Sequence, residues 1–192
     1  MQHRYPIAAR AARALRRFAR GEDGTIAIEA MIILPVMFWA FLAMFSIFHT
    51  FHQYSVNQKA AYTIGDAISR ETVPIDDAYL NGTHSLLAYL TAPSGGTSLR
   101  VSSLWFDAAS NKFFTDWSQT RGGPQPLTDA MVANWHSVLP VMPDKERVIV
   151  VETWNIYDPP FKTGLEQRKI HNRVFTRPRY APQVLWNPGS GA

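Results

Sequence analysis

A carboxylate stands inside the most apolar stretch of this sequence, and it poses the first chemical question. Glu29 is the only formally charged residue between Thr25 and Phe51. At the centre of a bilayer-spanning helix such a group costs roughly 2.5–3.5 kcal/mol, and less near the edge. It therefore sits at head-group level or has a partner. The order Gly24-Thr25-Ile26-Ala27-Ile28-Glu29 offers one. Cleavage between Gly24 and Thr25 creates an α-amino group, with an ordinary pKa of about 7.7–8.0, four residues before Glu29. The ammonium and the carboxylate then neutralise one another, within one helix or between two neighbours. In the second case the docking of one subunit satisfies the buried charge of another. Gly24 and Thr25 are thus candidate processing residues, and Glu29 a candidate charge-pairing and assembly residue.

The other polar constellations are weaker. His49 and His52 have the i, i+3 spacing of a helical metal pair, but two imidazoles just past an apolar run read as interfacial residues. Asp76 and Asp77 are adjacent near a helix start, where acids favour the dipole, and capping explains them better than paired acid–base catalysis. Asn81-Gly82-Thr83 fits a glycosylation acceptor, a tripeptide too common to carry weight. Trp105, Trp117, Trp135, Trp154 and Trp186 could line a sugar-binding platform, although packing is the simpler expectation. There is no Gly-x-Ser-x-Gly, His-Glu-x-x-His or phosphate-binding loop. The absence of cysteine excludes disulfides, thiolate zinc sites, iron–sulfur clusters and cysteine nucleophiles. The chain is read as a non-enzyme with no catalytic residue, no metal and no cofactor.

The elements that position Glu29 begin with a basic leader. Residues 1–24 carry six arginines against Glu22 and Asp23, which accounts for the entire net charge of +4. The remaining 168 residues hold thirteen bases and thirteen acids. A nucleic-acid binder needs its basic footprint on a folded face, so that class is excluded. The asymmetry reads instead as topology, with the arginines cytoplasmic and the other end exported. Ala30 to Phe48 gives nineteen consecutive uncharged residues, roughly 28 Å of helix, close to the hydrocarbon thickness of a bilayer. A cleaved secretory signal is shorter and ends in a small-x-small site, which this run lacks. Glu22, Asp23 and Glu29 interrupt a twin-arginine pattern, and the acidic pair together with the spanning segment argues against a transit peptide.

The stretch Arg17-Phe-Ala-Arg-Gly-Glu-Asp-Gly-Thr-Ile-Ala-Ile-Glu-Ala30, followed by Ile33-Leu-Pro35, resembles the N-terminus of TadE/TadF-like minor pseudopilins of the tight-adherence (Flp) pilus systems. The resemblance covers residues 16–70. It implies cutting after Gly24 by a prepilin peptidase in the bacterial inner membrane, with Glu29 as the fifth mature residue. Gly21 does not fit, because Ile26 lies five residues beyond it. The partners it implies are the lipid bilayer, other pilins and pseudopilins, the pilus assembly platform and the prepilin peptidase, in the service of surface attachment. Ala30 follows the glutamate where major pilins of this system have an aromatic, and the long C-terminal part also departs from a major pilin. Pro35, inside the apolar run, predicts a helix kink near Met31–Pro35.

A single helix is expected over 25–70, roughly 69 Å long, ended by Thr72-Val73-Pro74. Phe51, Tyr54, Ala61, Ile64 and Ile68 continue one apolar stripe along it, so its outer half should pack on the domain that follows. Three parts result: a leader at 1–24, a transmembrane and stalk helix at 25–71, and an extracytoplasmic domain at 72–192. In that domain Asp76–Leu90 and Leu127–Trp135 read as helices and Pro93–Gly96 as a loop. Leu99–Phe106, Lys112–Asp116, Arg147–Tyr157, Asn172–Thr176 and Gln183–Trp186 read as strands of an antiparallel sheet. The fold class is α+β. The rival functional class is an uncleaved, permanently anchored module that binds an envelope ligand.

Overall fold

Nearly a quarter of the chain forms one helix, α1 (Thr25–Ser69), which passes through Pro35 without interruption. The computed structural model describes residues 16–17, 24–161 and 164–189. The leader at 1–24 thus lies outside the described residues except for Arg16, Arg17 and Gly24. The chain divides into two units, the first ending at Phe45 and the second beginning at Ser46. In the first unit α1 buries almost nothing: Met31 is 74% exposed and Trp39 60%. A core helix of a water-soluble domain would be covered. This helix is long and apolar enough to cross a membrane, and its bare apolar surface suits lipid as solvent. Proline has no N–H, so Pro35 leaves the Met31 carbonyl without its intrahelical donor.

In the second unit α1 becomes one-sided. Ala60, Ala61, Ile64 and Ile68 are buried against the sheet, whereas Phe51 is 67% and Tyr54 37% exposed. The expected stripe therefore holds only over its last three residues. Followed towards the N-terminus, the buried face runs through Asn57, which is buried, and on to Thr50 and Ser46. Polar residues occupy it because the sheet presents polar partners there. Asn155 Nδ2 donates to Asn57 Oδ1, and the Tyr157 hydroxyl meets His49 Nδ1 at 2.7 Å. Apolar periodicity cannot trace a face made of amides and hydroxyls.

After α1, Asp76 caps α2 (Asp77–Thr91) by accepting from the Tyr79 N–H at 2.8 Å. Four antiparallel strands follow: β1 (Thr97–Asp107), β2 (Lys112–Arg121), β3 (Arg147–Tyr157) and β4 (Arg168–Thr176), in the order β2-β1-β3-β4. The fold is α+β, as expected. β3 has its expected bounds, but β2 and β4 run several residues beyond theirs. Apart from Trp117 and Ile170 their extra residues are polar, and these form strand because β1 and β3 pair with them, not because of their own pattern. The expected helix at Leu127–Trp135 is a single turn, α3 (Asp129–Val132), and then a 3₁₀ turn at Trp135–Ser137. Gln183–Trp186 is not a strand. It makes one isolated parallel bridge, Ile75 with Trp186, and Pro182 and Pro188 on either side remove the donors a longer ladder needs.

Two apolar clusters flank the sheet. On one face α1 and α2 cover Leu99, Val101, Ile149, Val151 and Val174. On the other the β2–β3 connection lays Leu127, Val132, Leu139 and Met142 over Leu104, Phe113, Val148 and Val150. β3 is covered on both faces, which is why it holds four consecutive apolar residues, Val148–Val151. The C-terminal segment ties the end of α1 to this body. The Arg179 N–H donates to the Ser69 carbonyl at 2.8 Å, and the Trp117 indole donates to the Val184 carbonyl at 2.8 Å. Ile64→Ala empties the centre of the α1–sheet contact. We expect it to lower the stability of the second unit by about 3 kcal/mol, read as an earlier midpoint in chemical denaturation of the detergent-solubilised chain.

Candidate functional site

At the N-terminus, Gly24 immediately precedes α1 and is exposed, with open space where a side chain would project. The Gly24–Thr25 bond therefore lies at the very start of the helix. Glu29 is exposed, one turn into the helix, and shares a shallow depression with Ile26, Ala30, Ile33 and Leu34. An exposed carboxylate bordered by apolar side chains is a group awaiting either solvent or a partner. Pro35 stands six residues, nearly two turns, beyond Glu29.

The remaining sequence candidates separate in space. His49 is engaged with Tyr157 through the 2.7 Å hydrogen bond and a stacked ring contact, while His52 is exposed. Asp76 is a helix cap, and Asp77 pairs with Arg121, which also donates to Asn81 Oδ1 at 2.5 Å. The tryptophans are divided between the two faces of the sheet. Trp117 and Trp186 pack together on the helix-covered side, and Trp105 stacks on Phe114 with the Lys145 ammonium above it. Trp135 and Trp154 belong to the other side, where they border a cluster that motif and spacing arguments did not reveal.

That cluster centres on Glu152, whose side chain is buried in the middle of β3. Arg100 of β1 donates through Nε to Oε2 at 2.6 Å and also pairs through Nη2. Arg173 of β4 donates through Nε to Oε1 at 2.8 Å, and His171 Nε2 stands 3.5 Å from the same oxygen. The antiparallel register brings them together: Arg100 and Arg173 lie directly opposite Glu152, and His171 opposite Trp154. Trp154 stacks on His171 with ring centres 4.8 Å apart, and the Arg100 guanidinium lies 5.2 Å from the Trp154 ring centre. Arg173 stands 4.7 Å from the centre of Trp135. Burial holds the His171 imidazole below its ordinary value; Glu152 opposes this and Arg173 adds to it. The uncharged ring is therefore favoured at neutral pH. One sequence signal did exist: Glu152 is the only charged residue from Val148 to Tyr157, another lone carboxylate in an apolar run.

Comparison with protein-family models, with curated proteins and with solved structures finds no match to this chain. Two arginines, a histidine and two indoles around one buried carboxylate can rigidify three strands and can hold an anion. Glu152→Gln leaves both guanidiniums facing a neutral amide. We expect a loss of about 3 kcal/mol in unfolding free energy, at the low end for a broken buried pair because Arg173 keeps contact with water. Urea titration of the variant against the parent chain measures it.

Proposed function

We propose that this chain is a minor pseudopilin-like membrane protein of the TadE/TadF type. In this reading a prepilin-type peptidase cuts it after Gly24, and the product takes part in assembling a tight-adherence (Flp) pilus. The leader is cytoplasmic, α1 is a single-pass anchor in the bacterial inner membrane, and the α+β domain lies on the extracytoplasmic side. The observation that carries the reading is the placement of Gly24 and Glu29 at the start of an apolar helix with no internal cover. Gly24 immediately precedes α1, and Glu29 is exposed about one turn into it. A helix that is both apolar and bare needs neighbours or lipid along its whole surface, and its lone carboxylate needs a counter-charge. A free Thr25 amine supplies that charge, on the same helix or on the next.

Two measurements test this. Intact mass or N-terminal sequencing of the protein recovered from membranes containing an active prepilin peptidase should give a chain beginning at Thr25. A Met1 start under those conditions points to the uncleaved, anchored binding module instead. Glu29→Ala in the host should reduce surface pili at least several-fold while the protein still accumulates in the membrane. Unchanged piliation would remove the assembly role of the carboxylate.

A further inference from the structure

The Glu152 cluster carries more positive charge than it neutralises. Arg100 and Arg173 are permanent cations, and the one buried carboxylate serves both. With His171 uncharged, the cluster itself keeps one net positive charge. It resides on Arg173. Arg100 is 11% exposed and directs its donors to Glu152 and to the Gln125 carbonyl at 2.8 Å. Arg173 is 31% exposed and gives Glu152 only its Nε, so its two terminal amino groups meet no protein acceptor among the described residues. The Nε bond and the Trp135 ring fix this guanidinium before any ligand arrives, which lowers the ordering cost of binding. A planar pair of N–H donors held in this way matches the two oxygens of a carboxylate.

Arg173 also belongs to an edge. β4 pairs with β3 on one side, and among the described residues no strand pairs with its other side. An open edge receives an extended chain through backbone hydrogen bonds, with alternate side chains reaching one face. Which chain it receives is a matter of charge. β4 presents Arg168, Lys169, His171 and Arg173 and has no acid. A second copy of this protein fits poorly, because its own open edge, β2, ends in Lys112 and Arg121 with Asp116 as its one acid. Such an edge repels its like, as sheet edges must to avoid self-association, and still admits an acidic strand.

We propose that β4 is a docking edge for an extended acidic segment of a partner protein, one carboxylate of which is received by the terminal amino groups of Arg173 beside Trp135. The proposal does not depend on how the N-terminus is processed. The probe is the blocked hexapeptide Val-Glu-Val-Glu-Val-Glu, titrated calorimetrically into the full chain in non-ionic micelles. Its Val-Gln counterpart and a version N-methylated at alternate amides serve as controls. The glutamate peptide should bind, with an affinity that falls as salt rises. The glutamine and N-methylated peptides should bind at least tenfold more weakly. Arg173→Gln should cost at least tenfold with circular dichroism unchanged, since Glu152 keeps Arg100, and Arg173→Lys should recover part of the loss. Failure of the glutamate peptide to bind at millimolar concentration overturns the proposal, as does equal binding of the glutamine peptide or indifference to Arg173→Gln. Tight binding of the N-methylated peptide rules out strand pairing at the edge.

Discussion

One helix has to satisfy two surroundings, and the rest of the molecule is arranged around that demand. From Ile26 to Phe45 α1 is apolar on nearly every side and uncovered. From Asn57 to Ser69 it has a single buried face that the sheet accepts. No backbone break marks the change, so side-chain chemistry alone makes it. Helical hydrogen bonding lets this work, because every interior peptide group apart from the one at Pro35 is satisfied whichever solvent lies outside.

The sheet meets the helix with its most protected strand. β3 is covered on both faces, by α1 and α2 on one side and by the β2–β3 connection on the other. Placing Glu152 in that strand is costly unless both neighbouring strands supply cations. They do: Arg100 and Arg173 stand in register on either side. A shift of one residue in either pairing would turn one arginine to the opposite face and leave the carboxylate half-served. The cluster thus specifies strand register in addition to neutralising Glu152.

Much of this was legible in the sequence, and the gaps have physical causes. The bounds of β3 follow from its β-branched and aromatic residues, and the end of α1 from Pro74. Tertiary pairing extended β2 and β4 beyond anything their own residues specify. The stripe through Phe51 and Tyr54 failed because the buried face there is polar, and Gln183–Trp186 failed because two prolines outweigh β-propensity. Gly24, Thr25 and Glu29 are neighbours in sequence, so their arrangement could be read directly. Arg100, Glu152, His171 and Arg173 come from three strands, and only the pairing register brings them together.

The amide pair between Asn57 and Asn155 has a mechanical meaning. Packed methyl groups let a helix creep along a sheet, trading one contact for a similar one. Two amides in hydrogen-bond contact do not, because a small displacement breaks the bond and strands both groups away from water. The joint between α1 and β3 therefore behaves as a peg near the lower end of a greased track formed by Ala60, Ala61, Ile64 and Ile68. A pull along the helix axis would be resisted without slippage up to a threshold, and then released at once.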